Sequence, residues 1–339
     1  MKAIVVKGDR QNPVLVWETV PDVEYGPDEV LVNVQATAVN RADLLQARGG
    51  YAPPAGASEI LGLEMAGTIA AVGEDVEEWQ VGDRVCALLP GGGYAEQVAV
   101  PAGMLLRLPR AWSFAMGTAV PEVWYTAYVN LFLEGDLVAG ETVLIHAGAS
   151  GVGTAAIQLA NAAEATAFVT AGSDEKLLAC RKLGAELTIN YKQDDFLARV
   201  LAATQDQGVD LILDPVGGGY LDRNVRALKR FGRLVNIGQL GGAHGEMNMG
   251  LVLSKRLRIV GSTLRSRSPA EKIKITEQFQ AGYWPLLRSG ELKPIIDTAF
   301  PIEQAQEAHA YVAQNQNIGK VILLVQPGAD VKPEPKSEK

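Results

Sequence analysis

A chain of 339 residues has room for about two domains at roughly 150 residues each. Hydrophobic residues make up 47% of it and charged residues 21%, which excludes extended disorder and allows a sizeable core. The 31 basic and 39 acidic residues leave a net charge of −8, which argues against nucleic acid or an anionic membrane as the main partner.

The N-terminal run Met1–Val6 turns charged again at Lys7 and reads as a first strand, not as a signal peptide. Apolar–polar alternation predicts strands over Val14–Trp17, Glu29–Ala36 and Gly67–Val72, so the first 120 residues are β-rich. Within them, GGYAPPAGA (49–57) holds too much Gly and Pro for either regular element and is a loop. Cys86 and Cys180 are the only cysteines; they form no disulfide framework and no CxxC knuckle, and read as core thiols of a reducing compartment. Three scattered histidines make no His-rich metal site, and no apolar run reaches the ~18 residues of a membrane span.

From about Val138 the pattern changes. Strands at Thr142–Ile145, Ala167–Ala171, Leu187–Asn190, Val209–Asp214 and Arg233–Ile237 alternate with helices near Thr154–Ala163, Asp174–Leu183 and Asp194–Ala203. Such alternation means right-handed βαβ units in a parallel sheet covered on both faces. After Arg258–Gly261 the chain leaves this pattern, with one helix over Ala270–Leu287 and a closing strand at Lys320–Val325. The last stretch, 327–339, is rich in proline and charge and reads as a disordered tail.

Residues 142–156, TVLIHAGASGVGTAA, carry the clearest chemical signal. Gly151, Val152 and Gly153 open a G-x-G-x-x-A run between a strand and a helix, with Ser150 just before it. The pyrophosphate of a dinucleotide fits there because glycine admits close backbone approach and the helix start presents free N–H groups. Twenty residues on, the second strand ends at Ala171, with no carboxylate to hold a ribose 2′-hydroxyl. Gly172, Ser173 and Lys176 follow, a hydroxyl and a cation suited to a 2′-phosphate, so NADPH is favoured over NADH. Asp174 complicates this, because its charge would repel a phosphate if it pointed inward. His146 reads as a satisfied core histidine, and Trp124 and Tyr125 as core aromatics.

The runs VNRADLLQARGGYAPPAGASEILGLEMAG, HAGASGVGTAAIQLA, TAGSDEKL, LGAELTINYKQDDF and the late NIGK resemble the medium-chain dehydrogenase/reductase superfamily, and within it the zinc-free quinone oxidoreductases, nearest the tumour-suppressor-inducible branch. The likeness spans roughly residues 1–326. It implies an α/β chain with a GroES-like β-rich catalytic domain, discontinuous over 1–122 and 266–326, and a Rossmann doubly wound parallel-sheet domain over 123–265 binding NADPH, with the active cleft between them. The implied function is metal-independent hydride or single-electron transfer from NADPH to quinones. The alternatives are a 2-alkenal or enoyl double-bond reductase, or a non-catalytic NADPH-binding protein. A cytoplasmic homodimer is expected, with a small quinone or conjugated carbonyl as partner, and neither nucleic acid nor membrane.

By the same resemblance, Asn40 and Thr126 lie near the nicotinamide, and Ser150–Gly153 hold the pyrophosphate. Ser173, Lys176 and Tyr191 hold the 2′-phosphate or adenosine. Gly238 and Leu264–Arg265–Ser266 line the nicotinamide half, and Asn317 reaches the cofactor late in the chain. Arg265 and Arg267 are read as surface or phosphate-facing rather than catalytic. Tyr51 and Asn40 are the catalytic candidates; Tyr51 either stacks on or hydrogen-bonds a quinone, or merely packs its loop. Zinc enzymes of the superfamily carry Cys where this chain has Asn40 and His where it has Leu63, so no metal is expected. Asp43 and Glu64 are read as structural hydrogen-bonding residues.

Overall fold

The computed structural model describes residues 1–326, so the reading of 327–339 as a tail lies outside the described residues. The chain divides into two compact units: Met1–Tyr125 together with the chain from Leu264 onward, and Thr126–Thr263.

The first unit opens with the antiparallel hairpin β1 (Lys2–Gly8) and β2 (Pro13–Thr19). The long strand β3 (Glu29–Val39) follows, then α1 (Arg41–Ala47), β4 (Glu64–Val72), β5 (Arg84–Leu88), β6 (Gln97–Pro101) and β7 (Leu105–Arg107). Two short helices come next, α2 (Phe114–Thr118) and α3 (Pro121–Tyr128), and the division between the units falls inside α3. Alternate residues of β3, including Val30, Val32 and Val34, are fully buried, the pattern of a strand with one face on a core. The loop predicted over 49–57 holds neither helix nor strand.

The second unit runs β8 (Thr142–Ile145), α4 (Gly151–Ala162), β9 (Thr166–Ala171), α5 (Asp174–Lys182), β10 (Leu187–Asn190), α6 (Phe196–Ala203), β11 (Val209–Asp214), α7 (Leu221–Ala227), β12 (Leu228–Asn236), α8 (Met249–Lys255) and β13 (Arg258–Gly261). Its six strands pair in the order β10-β9-β8-β11-β12-β13, every pair parallel. The order reverses between β8 and β11. In an open parallel sheet, ligands bind beyond the carboxyl ends of the strands at such a switch point.

Returning to the first unit, the chain forms α9 (Pro269–Gly282), α10 (Trp284–Ser289), β14 (Ile296–Pro301), α11 (Ala305–Ala313) and β15 (Lys320–Leu324). The single helix expected over 270–287 is two, broken at Tyr283. Pro285 lacks an N–H and is tolerated only in a helix's first turn, so it starts α10 instead of continuing α9. The seven-stranded sheet has the order β14-β15-β3-β4-β5-β7, with β6 also on β3. Strand β6 pairs Glu29–Asn33 of β3 and β15 pairs Ala36–Val39, so the two share its length.

Candidate active site

Strand register brings three distant polar residues together in the first unit. Val321 opposes Val39, which sets Lys320 beside Asn40, and Met65 opposes Thr37, which sets Glu64 at the same end of the sheet. All three side chains are buried: Lys320 is 3% and Glu64 0% exposed. The Lys320 ammonium donates to Asn40 Oδ1 at 2.7 Å and ion-pairs Glu64 Oε1 at 2.7 Å. Asn40 Nδ2 donates to the same Glu64 oxygen at 2.8 Å. The other Glu64 oxygen accepts the backbone N–H of Glu122 at 2.9 Å. An ion pair this deep must be paired and hydrogen-bonded to be tolerated, and here each member is.

Asp43 lies in the first turn of α1. Its carboxylate accepts the backbone N–H of Asn40 at 2.7 Å and of Gly62 at 3.0 Å, which pins both flanks of the Tyr51 loop. Burial pushes its pKa up to about 6, although those hydrogen bonds and the charge of Lys320 pull it back. Asp43 and Glu64 both spend their carboxylate oxygens on hydrogen bonds inside the protein.

Tyr51 sits half-buried in its loop. Arg265 stands over its ring, 5.2 Å from the centroid, and donates to the Tyr51 carbonyl at 3.3 Å. The same guanidinium donates to Pro90 O at 2.8 Å and to Gln46 Oε1 at 2.7 Å. Arg265 is therefore buried, so of the two readings, surface or phosphate-facing, the surface one is corrected: three neighbouring oxygens compensate its desolvation. Burial first, and then the charge of Glu122, raise the Tyr51 hydroxyl above its ordinary pKa.

The second unit builds a different surface. Ser150 caps α4, its hydroxyl accepting from Gly153 N at 3.1 Å. The N–H groups of Gly151 and Val152 have no acceptor among the described residues, as a first helical turn requires. A Cβ on Gly153 would lie 2.5 Å from the carbonyl oxygens of both Ala147 and Gly148, so the turn closes only around glycine. This cradle fits a dinucleotide pyrophosphate. At the end of β9, Ser173 caps α5 and Asp174 accepts from Asn190 Nδ2 at 3.2 Å, which gives that carboxylate a partner of its own. Tyr191 is exposed, and its hydroxyl lies where a Cβ on Gly172 would be, at 2.6 Å. Gly238 packs on Pro215, leaving 2.8 Å between a Cβ there and the Pro215 carbonyl oxygen.

His146 is buried and hydrogen-bonded to Thr170 at 3.0 Å and Asn224 at 2.8 Å, a satisfied core residue. Trp124 and Tyr125 are core aromatics, and both cysteines are buried free thiols. Asn317 turns its amide onto Gly319 O at 2.7 Å, shaping the bend that leads into Lys320. Nothing local in the sequence marks Lys320 or Glu122. A lysine opening an apolar strand looks like an edge residue, and a glutamate after a proline looks like a helix-start charge.

A central strand-rich unit joined to a six-stranded parallel sheet with a glycine-rich turn is the architecture of the medium-chain dehydrogenases and reductases. Comparison supports this over both halves: residues 26–110 match the alcohol dehydrogenase GroES-like domain, and residues 151–281 match the model described as zinc-binding dehydrogenase. A quinone oxidoreductase of Lama guanicoe is 31% identical over 299 residues, covering 88% of this chain and 89% of that one. The Escherichia coli quinone oxidoreductase solved in complex with NADPH superposes with a TM-score of 0.84 at 28% identity, over 95% of this chain and 99% of that one. The CurK enoyl reductase superposes with a TM-score of 0.83 at 29% identity, over 95% and 98%. The chain belongs to the quinone oxidoreductase family of the medium-chain dehydrogenase/reductase superfamily, and it is an oxidoreductase.

Among the described residues no group of three or more His, Cys, Asp or Glu is placed to hold a metal ion, and no helix is long and apolar enough to cross a membrane. The residues at the position of a catalytic zinc do not fit one. Asn40 offers an amide already bound to an ammonium, and Leu63 is a buried aliphatic side chain.

Proposed function

We propose that this chain is an NADPH-dependent reductase of quinones and related conjugated carbonyls that works without zinc. The observation that supports the reading is the buried Lys320–Glu64–Asn40 cluster, in which the polar groups of Asn40 and Glu64 are already committed to an ammonium and to each other. When bound, the dihydronicotinamide supplies a hydride, and an electron-poor acceptor already stabilises the charge that arrives. The protein then has to orient, keep water out and manage a proton.

Ser150, Gly151, Val152 and Gly153 hold the pyrophosphate in this reading. Gly172, Ser173, Lys176 and Tyr191 hold the 2′-phosphate and adenosine. Thr126, Gly238, Asn317 and the Leu264–Arg265–Ser266 stretch serve the nicotinamide half. Asn40 acts near the nicotinamide through the Glu64–Lys320 pair that it locks. Tyr51, steadied by Arg265, meets the acceptor. Buried free thiols suit a reducing cytoplasm. We also read the chain as a homodimer joined along β13, whose outer edge has no partner strand among the described residues and whose Ile259 is exposed. A single-chain mass by light scattering overturns that part.

The test is a panel of ortho- and para-quinones, 2-alkenals and enoyl thioesters, each with NADPH and with NADH. Turnover of quinones with NADPH preferred, unchanged after exhaustive chelation, is the expected outcome. Turnover confined to enoyl thioesters supports the enoyl reductase alternative, and tight NADPH binding with no turnover supports a binding protein. In the same assay Tyr51→Phe should lower kcat/KM for quinones about tenfold, the worth of one hydrogen bond of about 1.4 kcal/mol, with NADPH affinity unchanged. Unaltered kinetics would reduce Tyr51 to loop packing.

A further inference from the structure

We propose that the cleft between β2, α1 and α11 is a binding site for a small one-ring carboxylate that also carries a hydroxyl group. The cleft lies wholly within the first unit and stands whether or not the quinone reading holds. Gln306, His309, Ala310 and Ala313 share one face of α11 at spacings of three and four, and Leu44, Ala47 and Arg48 do the same at the end of α1. Alanine at 47, 310 and 313 keeps the two faces from closing on each other, and Leu15 of β2 completes the lining. The space left is about 240 Å³. A benzene ring fits in roughly 150 Å³, so one ring with two substituents fills the cleft.

The polar groups of the lining decide what the ring must carry. His309 is buried, only 7% exposed. Its Nε2 meets the Tyr94 hydroxyl at 3.1 Å, and that hydroxyl donates in turn to Asp43 Oδ2 at 3.4 Å. With the one phenolic proton spent on Asp43, the Tyr94 oxygen must accept from His309, which puts the imidazole proton on Nε2. Burial first, and then the charge of Arg48, hold the His309 pKa down at about 4, so the ring is neutral and Nδ1 keeps its lone pair. No described group hydrogen-bonds that nitrogen. An almost dry acceptor without a partner calls for a donor, and a ligand hydroxyl supplies one.

The rest of the lining asks for the opposite. The Arg48 side chain is exposed, with no ion pair or hydrogen bond among the described residues. Its charge is felt at His309 and at Arg41, and Arg10 comes up beside the same turn, its Nε 2.8 Å from where a Cβ on Gly49 would stand. Gln306 spends its Oε1 on the backbone N–H of Leu15 at 2.9 Å, which leaves its amide NH₂ as a donor. Among the described residues no carboxylate lines the cleft. A guanidinium and an amide donor without a competing anion suit a ligand carboxylate.

An NMR titration of the intact chain that follows the ligand's own lines tests this, with 3- and 4-hydroxybenzoate as probes and benzoate and phenol as controls. The better hydroxybenzoate should bind with a Kd on the order of 0.1–1 mM, as about ten non-hydrogen atoms allow. Benzoate lacks the donor and phenol lacks the anion, so each should bind about tenfold more weakly. Arg48→Gln should cost both kinds of acid about tenfold and leave phenol unchanged. Ala313→Leu fills the cleft from an exposed helix position, and should weaken every probe more than about tenfold with Tm unchanged. No line broadening at about 10 mM hydroxybenzoate overturns the proposal. So does binding that survives both substitutions, because the ligand then sits elsewhere. Equal affinity for benzoate and both hydroxybenzoates overturns the part given to His309.

Discussion

Replacing Lys320 by methionine should cost the first unit about 3–5 kcal/mol, because it leaves the Glu64 carboxylate buried without its counter-ion. The two hydrogen bonds that remain on Glu64, from Asn40 Nδ2 and Glu122 N, supply partial charge but no cation. Asn40 Oδ1 also loses its donor, so two desolvated acceptors are exposed by one substitution. At roughly 2–4 °C per kcal/mol for a unit of this size, Tm falls on the order of 10 °C. All five tryptophans, Trp17, Trp79, Trp112, Trp124 and Trp284, lie in the first unit, so fluorescence reports its unfolding selectively.

The control is the double variant Lys320→Met with Glu64→Gln. Replacing both charges removes the uncompensated anion, so most of the loss should return. A single variant that melts within 1 °C of wild type would show that the pair contributes nothing. A double variant no better than the single one would show that lost packing around the lysine stem, not lost charge, accounts for the effect.

The contrast between Lys320 and the glycine-rich turn explains what could be read in the sequence. Strands β8, β10 and β11 match their expected bounds because an apolar run closed by glycine or a polar turn is a local signal. The turn at Ser150–Gly153 is legible for the same reason: its chemistry lies within four consecutive residues. Helices α1 and α11, of seven and nine residues, lie outside the strand–helix alternation that marks the similarly short α5 and α6. The buried cluster was invisible for a deeper reason. Lys320 meets Asn40 across 280 residues of chain, and only the register of β15 on β3 decides that an ammonium ends up dry.

Gly153→Ala should weaken NADPH binding on the order of 100-fold, about 2.7 kcal/mol, and leave the tryptophan-reported unfolding of the first unit where it was. The added methyl would stand 2.5 Å from two carbonyl oxygens, Ala147 O and Gly148 O, both backbone atoms that no side-chain rotation can clear. Relief requires α4 to shift away from the turn. That shift moves the Ser150 cap and the unpaired Gly151 and Val152 amides, the groups assigned to the pyrophosphate. The effect is on where donors point, not on whether they exist, so a fluorescence titration of NADPH should show a weaker Kd at unchanged stoichiometry. Adenosine 2′,5′-bisphosphate, which lacks the pyrophosphate bridge, should lose far less affinity than NADPH in the same variant. Equal losses for both ligands would mean that the whole second unit is disturbed, and an unchanged NADPH Kd would mean that the phosphates do not sit on this turn.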